Sequence, residues 1–214
     1  MTIIKFFIDE GDTTGVFTEI NTNLVYKSAA LFFTLHPNTF WKPGIQEKEQ
    51  IFFQELKKNK TDMETVRTQL LSGINVNCKD DLSTTPVIVA AAKDDPVLLK
   101  ILLDNGADPN WKNLLNLSAI YFAEMNDNME MISILIEHNI DISEWLENRF
   151  PAFKNEKMMD ILLNYVSQKK DGFKVLERLS DRFNSTTNGI IDKRKVFIQK
   201  YLNRSRLPQQ RESK

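Results

Sequence analysis

The chain has 214 residues, 42% apolar and 27% charged, the balance of a globular chain long enough to bury a sizeable core. Its 28 Lys and Arg against 29 Asp and Glu leave a net charge of −1, so the chain as a whole is not a surface built for polyanions or polycations. One cysteine excludes an internal disulfide and a multi-thiolate metal site, and His36 and His138 stand too far apart in sequence to suggest zinc or His-based catalysis. Seven glycines include neither a P-loop nor a dinucleotide fingerprint. No catalytic residue, metal or cofactor is therefore expected.

Residues 1–45 read as an N-terminal cap. Two β-prone runs, Ile3–Ile8 and Val16–Ile20, flank EGDTTG and predict a short hairpin. A helix is expected over 24–35 with Asn23 as its cap, followed by turns at His36-Pro37-Asn38 and Lys42-Pro43-Gly44. The apolar opening of MTIIKFFIDEGD is broken by Lys5 and ended by Asp9 and Glu10, too short for a secretory signal. The run Ala29–Leu35 falls far below the roughly 20 residues of a membrane span. The expected compartment is a reducing, cytoplasmic one, with no membrane span.

From residue 46 an internal repeat takes over. TPVIVAAAKDDPVLLKILLDNGADPN (85–110) returns as SAIYFAEMNDNMEMISILIEHNIDIS (118–143), an offset of 33. Thr85 falls on Ser118, Val87 on Ile120, Ala90 on Ala123, Leu102 on Leu135 and Asp108 on Asp141; backwards, Gly106 falls on Gly73 and Asn110 on Asn77. Pro86 sits at a first helical turn, where its missing N–H has no intrahelical partner to lose. Ala90-Ala91 allows neighbouring helices to approach. Val97, Leu98, Ile101 and Leu102 form the stripe of a second helix, which Gly106 ends in a left-handed turn. Asn139 replaces that glycine one period on and is the next best residue there.

A 33-residue period of two short helices and a turn is similar to that of the ankyrin repeat, and residues 85–110 resemble it closely. The resemblance implies an all-α, ankyrin-repeat α-solenoid with capping flanks over residues 46–166, in units of about 46–78, 79–111, 112–144 and 145–166. The first unit has helices at about Lys48–Lys58 and Met63–Leu71. The last is degenerate, with Phe150-Pro151-Ala152-Phe153 and Met158–Leu163; Ile134 to Ile161 spans 27 residues, so it is shortened by about six.

Residues 167–203 predict two helices. Phe173, Leu176, Leu179 and Phe183 mark the first, NSTTNG (184–189) is a break, and Ile191, Ile198 and Leu202, with Phe197 and Tyr201 alongside, mark the second. From Arg204 the apolar pattern stops, and 204–214 is expected to be a disordered tail.

What is known of ankyrin repeats implies one binding surface made of fingertips and the exposed side of each first helix. Carried over to this chain, it comprises Asp81, Leu82, Thr84, Ala92 and Lys93 from one unit, and Leu114, Leu115, Leu117, Met125 and Asn126 from the next. Three leucines at fingertip positions mark either an interaction site or packing under a flank of the same chain. Trp111 and Trp145, near the fingers, are candidates for an interface anchor or for packing between fingers, and Trp111 is taken with the binding residues.

Charge is uneven. Asp94 to Asp160 holds 13 acidic against 5 basic residues, while Ile190 to Lys214 holds 8 basic against 2 acidic. These are solvated faces, or an attraction for a basic partner at the repeats and for an acidic partner or anionic membrane surface at the C-terminal end. Charge without a stacking or groove-reading element does not make a nucleic-acid site, and none is expected. Lys79 beside Cys78 would favour its thiolate slightly, and His138 is expected to cap a helix C-terminus.

The function expected is non-enzymatic binding of a protein partner. The alternative is an enzyme or enzyme inhibitor with its active element in the flanks, 1–45 or 167–203. Asn, Ile and Lys make up about a quarter of the chain, a bias of AT-rich genomes. Intracellular bacteria with such genomes often export ankyrin proteins, so the partner could be a host protein and the chain a secreted effector.

Overall fold

The computed structural model describes residues 47–149, 155–186 and 193–209. The expected N-terminal hairpin and helix, Phe150–Phe153 and the end of the NSTTNG break lie outside these residues.

The described residues form ten helices and no strand: α1 (Glu47–Lys57), α2 (Met63–Leu71), α3 (Pro86–Ala92), α4 (Pro96–Asp104), α5 (Ala119–Met125), α6 (Met129–Glu137), α7 (Ser143–Arg149), α8 (Glu156–Ser167), α9 (Gly172–Thr186) and α10 (Lys193–Gln209). The first helices pack in a row, α1 on α3 and α3 on α5. A second row runs α4 on α6 and α6 on α8. One apolar cluster runs through both rows, from Phe52 in α1 to Leu202 in α10.

The 33-residue period is written in the backbone as well as in the apolar stripes. Second helices end in left-handed residues at Gly73, Gly106 and Asn139, with φ of 79°, 85° and 57°. Asp94 and Asp127, with φ of 58° and 54°, turn the chain between first and second helices. The next helix in each unit starts on a side-chain oxygen. Asp62, Asp95, Asn128 and Asn155 accept from the amides of Glu64, Leu98, Met131 and Met158. These caps are 33, 33 and 27 residues apart, so the shortening of the last unit falls before α8. First helices are started differently. The Thr85 hydroxyl is buried, caps nothing and has no hydrogen-bond partner, leaving α3 to begin on Pro86.

Polar side chains then bind each unit to the next. Asn77 accepts from Asp108 N (2.8 Å) and donates to Gly106 O (3.1 Å). One period on, Asn110 accepts from Asp141 N at 2.7 Å. Asn128 Nδ2 donates to Asp94 Oδ1 at 2.8 Å, and Asn155 does the same to Asp127. His138, the C-cap of α6 as expected, bridges Ile134 O (2.8 Å) and Asp104 Oδ1 (3.0 Å) with its ring nitrogens.

Two elements differ from expectation. Trp145 is not in a finger: it lies buried in α7, which stands where a third finger would follow. Both real fingers are turned by a side-chain oxygen accepting two amides. Asp80 takes those of Leu82 and Thr84, and Asn113 those of Leu115 and Leu117. One period after Asn113 stands Leu146, which can accept nothing, and the segment winds into a helix instead. At the other end, α10 continues to Gln209, past the point where the apolar pattern stops. Extending a helix already nucleated needs only one more residue to be fixed per hydrogen bond, and Arg204 lies over the Tyr201 ring at 5.5 Å.

The C-terminal helices are held by charge as well as packing. Lys200 Nζ and the Tyr201 hydroxyl both donate to Asp160 Oδ1 at 2.8 Å, joining α10 to α8. Arg178 Nη2 meets Glu147 Oε1 at 2.7 Å, joining α9 to α7. The Lys200 bond, then that of Tyr201, holds the Asp160 carboxyl below its ordinary value. Burial, then the neighbouring Asp160, pushes the Tyr201 phenol up.

Two consequences are measurable. Lys57 and Asp80 meet at 3.1 Å with side chains only 3% and 0% exposed. Asp80→Ala removes both the counter-ion and the turn acceptor, and denaturant unfolding should register a loss of about 3–5 kcal/mol. For Asp160, a depressed folded value means stability that is complete above the ordinary 3.8 and is lost as pH falls through the lower folded value. Acid titration of the melting temperature should show this loss, and Asp160→Asn should flatten it.

Candidate protein-binding surface

Two fingers stand side by side between α2 and α5. In the first, Ser83 N donates to Asp80 O (2.9 Å) and Asp80 N to Thr84 O (3.1 Å); in the second, Asn116 N donates to Asn113 O (2.9 Å) and Asn113 N to Leu117 O (3.0 Å). Ser83 and Asn116, both with φ of 58°, make the tips. The fingers are tied by Leu114 N donating to Leu82 O (2.9 Å) and by Trp111 Nε1 donating to Ser83 O (2.8 Å). Lys79 Nζ lies 3.2 Å from the Trp111 ring centroid on the same side.

This arrangement sorts the expected contact residues. Leu114 and Leu115 are 67% and 39% exposed, and Leu82, on the neighbouring tip, is half-buried. Asp81 is half-buried beside it, with one carboxylate oxygen that is out of solvent and accepts no hydrogen bond. Leu82 and Leu115 occupy equivalent positions one period apart, and the Leu114–Leu82 backbone bond places the three leucines on adjoining tips.

Thr84, Ala92, Leu117 and Met125 are buried, which corrects the expectation that they lie on an exposed face. Thr84 is enclosed between fingers, its hydroxyl accepting from Asn113 Nδ2 at 3.4 Å. Leu117, pulled back by the bond from its amide to Asn113, joins the core, as do Ala92 and Met125. All seven residues of α3 are buried, because the short side chains of Ala90–Ala92 let its neighbours α1 and α5 close over it.

Three further residues are occupied by the fold. Lys93 Nζ donates to Leu56 O (2.8 Å), Lys58 O (2.6 Å) and the Thr61 hydroxyl, closing the C-terminal end of α1. Burial lowers its ammonium's pKa, and the neighbouring Asp95 and Glu55 only partly offset this. Asn126, its equivalent, donates to Ala91 O at 3.4 Å. Trp111 packs and bonds between the fingers. Asp80, readable from its type as a turn residue that bonds its own backbone, shapes the first tip; the residues that the sequence reading missed are Asn113, Ser83 and Asn116, and the signal was the recurrence of an Asp/Asn after 33 residues, two positions before Leu82 and Leu115.

Cys78 is buried, and its thiol is pushed up to about 12, first by burial and then by the negative charges of Glu49 and Asp80. This corrects the expectation that Lys79 favours the thiolate: Lys79 is engaged with Trp111. Among the described residues no group of three or more His, Cys, Asp or Glu side chains could hold a metal ion, and no helix is long and apolar enough to cross a membrane.

Comparison with known proteins agrees with this geometry. The family described as ankyrin repeats matches residues 56–145 in three copies. An ankyrin repeat protein of Fowlpox virus (strain NVSL) is 32% identical over 98 residues, covering 46% of this chain and 15% of the viral protein. The human transient receptor potential cation channel subfamily A member 1 is 34% identical over 91 residues, 39% of this chain and 8% of the channel. An ankyrin repeat and KH domain-containing protein of Caenorhabditis briggsae is 34% identical over 55 residues, 25% of this chain and 2% of that protein. The chain thus spans a small part of the length of these relatives, and no solved structure matches it. Over residues 56–145 this chain is an array of three ankyrin repeats.

Proposed function

We propose that the chain is a non-enzymatic protein-interaction module that holds a protein partner through the fingertip ridge of Leu82, Leu114 and Leu115. Ankyrin repeats are generally protein–protein interaction modules and typically non-enzymatic. The observation that carries the finer reading is the exposure of Leu114 and Leu115, 67% and 39%, beside Leu82 on two rigidly joined tips. Adjacent apolar side chains held in water at a rigid edge gain free energy when a partner covers them. Exposed Val97 and Leu71 stand on second helices, apart from the tips.

The partner lies in the cytoplasm of the source cell or, after export, in that of a eukaryotic host. A translocation reporter fused to the chain should enter host cells, and should fail to do so without the last twenty residues; absence of entry from both removes the host from this reading.

Affinity capture with the wild type and with Leu114→Glu/Leu115→Glu tests the surface. The variant should keep the wild-type melting temperature within a few degrees, since exposed substitutions usually change stability by less than about 0.5 kcal/mol. It should also lose a specific protein that the wild type retains. Leu117→Glu, at a core position, should lower the melting temperature instead.

A further inference from the structure

A carboxylate cut off from water needs a partner, and Asp81 on the first finger has none among the described residues. Its Oδ1 is out of solvent and accepts no hydrogen bond, and the side chain makes no ion pair. The charged neighbours that could have answered it are already taken. Asp80 holds Lys57 at 3.1 Å and accepts from two amides of its own turn. Lys79 lies over the Trp111 ring, 3.2 Å from its centroid. Asp81 as a whole is only half-buried, so its outer oxygen is reached from solvent.

The repeat sets the place of this carboxylate. Asp81 follows the turn acceptor Asp80 as Leu114 follows Asn113 one period later. Leu114 is 67% exposed, and its amide donates to Leu82 O, the residue beside Asp81, at 2.9 Å. An uncompensated carboxylate and an exposed leucine thus stand at equivalent positions of two bonded tips.

We infer that Asp81 binds an arginine of the protein partner, while an apolar side chain near that arginine covers Leu114 and Leu115. A cation is specified by the missing counter-charge of Asp81 itself, which no group of the fold supplies. Arginine suits the place better than lysine, because its guanidinium is more weakly hydrated and loses less on entering a site bordered by leucines. Covering the leucines also excludes water from the pair and strengthens it. The same arrangement rejects the wrong partner: an apolar surface without a cation would strip the remaining water from Asp81 and return nothing. The inference rests on the fingertip reading above and adds to it the charged group that the partner carries.

The probes are nine-residue peptides with one arginine and one leucine at varied spacings, titrated against the full chain by fluorescence anisotropy. Each has a twin with citrulline, the neutral analogue of arginine. The strongest binder should lose about tenfold in affinity when its arginine becomes citrulline. Asp81→Asn, which keeps the shape and removes the charge, should bind both twins alike and melt no lower than the wild type. Leu114→Glu/Leu115→Glu should lose the peptide. A library without binders, twins that the wild type binds equally, or a preference for arginine that survives Asp81→Asn overturns the inference. In each case the fingertip reading is judged by the leucine variant alone. A lower melting temperature for Asp81→Asn overturns the inference too, because the carboxylate is then used inside the fold. If the leucine variant keeps the peptide, the fingertip reading falls and this inference with it.

Discussion

A single side-chain oxygen accepting two backbone amides decides whether a segment of this chain becomes a finger. Asp80 Oδ1 takes the amides of Leu82 and Thr84, and Asn113 Oδ1 those of Leu115 and Leu117. Each bond satisfies a donor that would otherwise be stranded in a tight turn and sets the left-handed residue at the tip. The tips then place Leu82, Leu114 and Leu115 side by side, and Trp111 fastens one tip to the next through the Ser83 carbonyl. At Leu146 the acceptor is absent, and the row of fingers ends there.

Electrostatics in this molecule is spent largely inside it. The acidic array and the basic block from Ile190, legible as opposite charges, meet at Lys200–Asp160, and α9 adds Arg178–Glu147. These pairs are partly exposed and each contributes little. Their weight is geometric: they set where α9 and α10 sit against the last repeats, closing an apolar end that would otherwise face water.

The architecture was legible because a 33-residue period repeats the apolar stripes, the left-handed positions and the helix caps together. Gly73, Gly106 and Asn139 are readable from type and spacing alone; the caps Asp62, Asp95, Asn128 and Asn155 emerge with the backbone. The arrangement of the fingertips was less legible. Leu114, Leu115 and Leu117 are the same residue in one short stretch, yet one joins the core, because the bond from its amide to Asn113 turns the chain inward. Lys93 reads as a solvent-facing cation and is a clasp on the preceding helix. Side-chain identity gives no warning of either, since both depend on contacts with residues 4 to 37 positions away.

The replacement of a finger by α7 also governs how such a chain can lengthen. Within residues 79–144 the two units share their period, their helix caps at Asp95 and Asn128 and the finger turns at Asp80 and Asn113, so a duplicated unit would find similar neighbours on either side. Beyond Ser143 the cap persists and the finger does not: Asn155 still caps α8 and donates to Asp127, but α7 packs on α9 and offers no finger edge of its own. A duplicated unit therefore fits among the finger-bearing repeats and not after α7. The C-terminal boundary is a change of secondary structure and travels outward intact with every unit inserted before it.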